Sequence, residues 1–253
     1  MIIRALIFQI LFTFIIVLFI GCGESIEDPD APSAPVWVEK SDPTDPIAHG
    51  IRPYHDGNGI VLEWHPNLED DISGYKLYKT EADIDNKFIL AVDINAFSLS
   101  GADTFFVDDS VKFNVNYYYY LKAYDQAGNR SVPSDTIQYA IISKAEPWDP
   151  DGDINSQQTL FKWYDFSYSY PNYIVLLEDF DKREVVWISP FIAPNYGAIS
   201  HSVSFNFDGT SELDTFEIGT RYRWCVKSIA FVDSHTNIDI SGSISYWAYF
   251  TIQ

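Results

Sequence analysis

From Pro35 onward, apolar residues recur at every second position in short runs separated by Gly, Pro, Asn and Asp. A period of two sends successive side chains to opposite faces, so the runs predict half-buried strands, and no amphipathic helix of useful length interrupts them. In the first half the pattern predicts strands over residues 36–39, 60–64, 75–79, 88–92, 105–107, 117–124 and 136–142. That set fits one sandwich of about seven strands. Ile60, Leu62 and Trp64 share one face, which makes Trp64 a core candidate. Over 117–124 the alternation sends Tyr117, Tyr119, Leu121 and Ala123 inward and Tyr118, Tyr120 and Lys122 outward. Tyr117, at the head of its strand, is placed to cap a loop carbonyl with its hydroxyl.

The second half repeats this plan. Trp163 stands 99 positions after Trp64, and Tyr173 stands 98 after Tyr75. Tyr222, Trp224, Val226 and Ser228 take the places of Tyr117, Tyr119, Leu121 and Ala123 at an offset of 105. Residues 243–252 read as one closing strand. The larger late offset puts the extra residues in loops around 190–197 and 207–219, and loops are where such scaffolds carry function. The charge and proline shift at 144–147 marks a boundary between the halves.

Leu62-Glu63-Trp64, the run from Asp71 to Tyr78, and the run from Tyr119 to Ser131 together resemble bacterial fibronectin type III domains. The ending Ala123-Tyr124-Asp125-Gln126-Ala127-Gly128-Asn129-Arg130-Ser131 is the most specific of these, and Phe106-Val107-Asp108 matches the aromatic-x-Asp of that family. The resemblance covers residues 31–142. The second half lacks the Ala-Gly-Asn turn and is similar to fibronectin or immunoglobulin-like sandwiches more broadly. The implied fold is all-β, with two tandem sandwiches.

Ahead of them, Arg4 precedes the nearly unbroken apolar run Ala5 to Ile20. That run is short of the roughly 20 apolar residues that cross a bilayer and reads as a signal h-region. Phe19-Ile20-Gly21-Cys22 resembles the lipobox of bacterial lipoproteins, departing from it at Phe19, where Leu is usual. The resemblance implies acylation of Cys22 as the mature N-terminus; an uncleaved signal anchor is the alternative. The acidic, proline-containing residues that follow read as a solvated tether. Gly23 after the cysteine resembles outer-membrane sorting, and Glu24, Glu27 and Asp28 resemble a surface-export signal, against the plainer reading of an acidic linker. The expected organisation is a lipoprotein signal peptide over 1–21, a tether over 22–33, a fibronectin type III domain over 34–143 and a second sandwich over 147–253.

Sixteen Lys and Arg against 36 Asp and Glu give a net charge of -20, which argues against a nucleic-acid partner. Two cysteines, Cys22 and Cys225, offer no disulfide framework. Asp149, Asp151, Asp153 and Asn155 set oxygens at alternate positions, a spacing open to calcium or to a turn whose Asp and Gly satisfy the backbone. The histidines His49, His55, His65, His201 and His235 show no metal or nucleophile-base spacing, and His201 lies on the apolar side of its strand. Arg223 and Lys227 flank Cys225 on one face, open to a thiol activated by cations or to a small residue under a covering neighbour. No nucleophile elbow, phosphate loop or zinc-protease pair is present in the sequence.

These readings lead to a non-enzymatic, lipid-anchored protein of the bacterial cell envelope, an adhesion, interaction or scaffold module. The expected placement is the outer membrane, facing the periplasm or the surface, with no cofactor or metal. Its partners are the membrane, through the lipid, and a protein or glycan ligand. The alternative is a carbohydrate-binding accessory lipoprotein, in which Tyr168 and Tyr170, alternating with Ser167 and Ser169, supply rings for stacking on sugars.

Overall fold

The computed structural model describes residues 30–39, 50–82, 87–95, 104–155, 159–167, 169, 171–233 and 238–253, with only the backbone described at 232, 233, 238 and 239. Cys22, Tyr168, Tyr170, His49 and His235 lie outside the described residues. The described chain is all strand and loop. The first module holds β1 (Val36–Trp37), β2 (Ile51–Pro53), β3 (Ile60–His65), β4 (Ile72–Glu81), β5 (Ile89–Asn95), β6 (Phe105–Asp108), β7 (Tyr117–Asp125) and β8 (Ile137–Ile141). The second holds β9 (Glu146–Asp149), β10 (Gly152–Ile154), β11 (Leu160–Tyr164), β12 (Asn172–Asp179), β13 (Glu184–Ile188), β14 (Ser200–Ser204), β15 (Arg221–Asp233), β16 (Ile238–Ile244) and β17 (Ala248–Ile252).

In the first module one sheet centres on β3, with β6 on one edge and β1 and β2 on the other, and the facing sheet runs β8-β7-β4-β5. The alternation read from the sequence supplies the core between them: Ile60, Leu62, Trp64, Tyr117, Tyr119, Leu121 and Ala123 are all buried. Trp64 sits edge-on to Tyr75, with ring centroids 5.4 Å apart at 65°. The second module reproduces the pair, Trp163 meeting Tyr173 at 5.2 Å and 65°. Its sheets are β14-β11-β9 and a second built on β12, β13, β15 and β17. Tyr117 and Tyr222 also match, but not as sequence led one to expect. Instead of capping a carbonyl, each hydroxyl accepts a backbone N–H from five residues upstream, Lys112 and Glu217, both at 3.1 Å.

The Ala-Gly-Asn-x-Ser ending has a structural reason. β8 pairs with β7 only as far as Tyr119, which leaves the edge of β7 from Leu121 onward without a strand partner. Ser134 and Ser131 fill in: their hydroxyls accept the Leu121 and Ala123 N–H groups at 3.0 and 2.9 Å, while their own N–H groups donate to the same residues' carbonyls. The turn that brings them there is closed by Asp125, whose carboxylate accepts the Asn129 N–H at 2.8 Å, and by Gly128 at φ +93°, a conformation that favours glycine. In the second module Ser245 does the same for Val226, at 2.9 Å in both directions. This serine corrects the expectation of one closing strand over 243–252: β16 ends at Ile244, Ser245 bridges to β15, and β17 begins at Ala248.

The segment 207–219 is the expected loop, and it is pinned to the second core. Phe216 is buried and packs on Phe205, Tyr222 and Phe250 at 4.3, 5.1 and 5.4 Å.

Candidate functional site

Two regions stand out once the cores are set aside: the junction between the modules and the outer face of the β14-β11-β9 sheet. At the junction, β15 runs on to Asp233, well beyond the stretch that reads as a strand from sequence, and β16 returns from it to lie between β15 and β8. The β8–β16 pairing is parallel, Ser241 opposite Ala140 and Gly242 opposite Ile141. It joins the two modules in one ten-stranded sheet. Ile142 donates its N–H to the Gly242 carbonyl at 3.0 Å, and Ser243 donates its hydroxyl to the Ser143 carbonyl at 3.0 Å. The chain therefore crosses at 142–146 without a solvated linker: Lys144 is drawn inward and Ala145 joins the second core.

The Lys144 ammonium donates to three main-chain carbonyls, Tyr54 and His55 of the first module at 2.8 and 3.0 Å and Ile244 of the second at 2.5 Å. Three N–H bonds to three acceptors match the donor count of an ammonium. Beside it the His55 ring stacks on Trp247 at 4.6 Å and 18°, and the Arg223 guanidinium, bound to Glu178, lies 4.2 Å from the centroid of the same Trp247 ring. Burial pushes the Lys144 amine down to about 8 from its ordinary 10.5. Between those values the native chain has released a proton that the unfolded chain keeps, so this group's contribution to stability rises with pH from about 8 to 10.5. Denaturant midpoints at pH 7, 8, 9 and 10 should show wild type gaining on Lys144→Met through that window, and a constant difference would contradict the burial of this amine.

On the outer face of β14-β11-β9, β11 alternates as its sequence dictates: Phe161 and Trp163 point into the core and Leu160, Lys162 and Tyr164 point out. A register shift between Lys162 and Trp163 accommodates Trp148 of β9, which stays 42% exposed. Trp148 and Tyr164 lie nearly parallel, with centroids 5.6 Å apart at 14°, and Phe166, 44% exposed, continues the group 6.0 Å from Tyr164. Lys162 Nζ sits 5.0 Å from the Trp148 ring and 2.6 Å from the Asp149 carboxylate. Ser200 and Ser202, opposite Tyr164 and Lys162 on β14, are exposed on the same face. Trp148, Tyr164 and Phe166 thus form a cluster of three aromatic rings edged by charged and hydroxyl groups.

The other sequence candidates lie elsewhere in the fold. Asp149, Asp151 and Asp153 bracket the turn in which the chain leaves β9 and enters the opposite sheet as β10, beside β17. Asp149 is bound to Lys162, and no three His, Cys, Asp or Glu side chains converge as metal ligands among the described residues. His201 is buried, stacks on Trp163 at 5.8 Å, and lies 3.2 Å from the Tyr173 hydroxyl, which is 2.7 Å from Asp165. Burial pushes the His201 ring below its ordinary range, against the pull of the nearby Asp165 carboxylate. Cys225 is fully buried with Leu176, Ile244 and Trp247, under covering neighbours. Of the two expected cations, Arg223 is engaged by Glu178, and Lys227 is itself buried.

No family model matches the sequence, and no curated protein matches it. Among solved structures, the twitchin kinase region from C. elegans matches 44% of this chain at 14% identity with a TM-score of 0.32, and this chain covers 17% of it. A structure described as a myokine matches 44% of this chain and 97% of its own at 20% identity and a TM-score of 0.30. The FN1–FN3 domains of chicken CNTN1 match 88% of this chain and 68% of their own at 14% identity and a TM-score of 0.31. Similarity at this level carries no weight for function, and the sandwich assignment rests on the strand order and the paired core motifs.

Proposed function

We propose that this chain is a non-enzymatic interaction or scaffold module of the bacterial cell envelope, anchored at the outer membrane by lipid on Cys22. The observation that carries the interaction reading is the ring cluster of exposed Trp148 and Phe166 around half-buried Tyr164, on a sheet face of a body whose two modules share one sheet. Clustered apolar surface left in solvent on a folded scaffold is where contacts with other molecules concentrate. The anchor is supported by Arg4, the apolar run to Ile20 and Gly21-Cys22. Two or three acyl chains, at about 0.8 kcal/mol per buried CH₂, hold such a body to a bilayer where one chain gives only marginal binding.

Growth with an alkyne fatty acid tests the anchor. The wild type should take the label and sediment with membranes, while Cys22→Ser should lose the label and either remain as uncleaved precursor or leave the membrane fraction. A Cys22→Ser protein that is processed and retained like wild type would contradict lipidation there.

A further inference from the structure

We infer that the outer face of the β14-β11-β9 sheet binds an uncharged glycan, with Trp148, Tyr164 and Phe166 as the stacking surface and Lys162, Ser200 and Ser202 as the polar rim. This deepens the interaction reading and rests on it. A sugar ring has an apolar C–H face and a rim of hydroxyls. The protein face has the same two parts in complementary places. Trp148 and Tyr164 are near-parallel at 5.6 Å and 14°, and Phe166 follows at 6.0 Å tilted by 31°, so the cluster offers successive ring contacts. Along β14, Ser200 and Ser202 repeat on one side of the face about 7 Å apart, each hydroxyl able both to donate and to accept. Lys162 and Asp149 add a donor and an acceptor already fixed against each other at 2.6 Å, so neither needs to be ordered on binding.

Charge selects among glycans. Lys162 is neutralised by Asp149, Glu146 is exposed opposite Tyr164, and the whole chain carries -20. Polyanionic saccharides are therefore repelled, and a neutral polymer is not. The alternation of β11 explains why the site is compatible with a stable fold: the residues that make it, Lys162 and Tyr164, are the outward partners of Phe161 and Trp163, so the face can vary without touching the core.

The test is native electrophoresis of the full chain, purified in a polyoxyethylene detergent, through gels containing a soluble β-glucan, xylan or mannan, with polygalacturonate as the anionic counterpart. At least one neutral polysaccharide should retard the protein, and polygalacturonate should not. Trp148→Ala and Tyr164→Ala should each weaken that retardation at least tenfold. Ser202→Arg, an exposed substitution that cannot disturb the core, should weaken it as well, so the result survives if a ring variant unfolds. Tyr120→Ala, on the outer face of the first module, should leave it unchanged. No retardation in any of the three neutral gels, retardation by polygalacturonate alone, or retardation indifferent to Trp148, Tyr164 and Ser202 would overturn the inference and leave the face to a protein partner. Fatty-acid labelling at Cys22 is unaffected by either outcome, so failure of this site and failure of the anchored-module reading are told apart.

Discussion

Replacing Trp64 with alanine is expected to destabilise the first module by about 3–5 kcal/mol, the range for losing a large aromatic from a packed core. Trp64 is 1% exposed and touches Trp37 edge-on at 6.4 Å as well as Tyr75. Truncation leaves a cavity between two sheets, each stiffened by its own hydrogen-bond ladder, so the walls relax little. Trp163→Ala should do the same in the second module, where Trp163 meets Tyr173 and His201. Chemical unfolding followed by fluorescence of the remaining tryptophans reads both, and a loss below about 1 kcal/mol, the size of an ordinary surface change, would contradict the core assignment.

The second large effect is expected at Gly242. A Cβ built there meets the Ser228 carbonyl oxygen at 2.1 Å and the Tyr139 hydroxyl at 3.1 Å. The first obstacle is backbone and cannot turn aside. Gly242→Ala must therefore push β16 off β15, and the displaced strand also carries the β8 pairing of the junction. A cost on the order of 3 kcal/mol, at the upper end for an inserted methyl group, is expected. The distinguishing sign is where the loss falls: the Lys144 and His55 contacts should loosen while Trp64 and Trp163 stay packed. An alanine variant with unchanged stability and an intact junction would show that β16 does not lie where the sheet places it.

Much of the fold could be read from alternation because each core position announces itself locally. Trp64, Trp163, Tyr117, Tyr222 and His201 all fall on the faces that a period of two assigns them. The junction left no such trace. Pairing of β16 with β8 brings together residues about 100 positions apart and depends on Ser241 and Gly242, which carry no apolar alternation of their own. Lys144 likewise looks like a charged boundary residue, and only the three carbonyls that surround it show otherwise. Residues 243–252 alternate well enough to pass for one strand because the break at Ser245 replaces a backbone bond with a hydroxyl, which does not alter the pattern. The ring cluster was half legible. Tyr164 is outward by the same alternation that buries Trp163, whereas Trp148 sits in a proline- and aspartate-rich stretch that reads as a turn, and its outward position comes from the register shift beside it.

The two sandwiches form one body through the β8–β16 pairing, and amide hydrogen exchange on the unmodified chain is the test of that arrangement. The Ile142 N–H, which donates across the junction to the Gly242 carbonyl at 3.0 Å, should exchange as slowly as core amides such as that of Leu121. Fast exchange at Ile142 while the amides of both cores remain protected would contradict it, because it would show two sandwiches that merely follow one another along the chain.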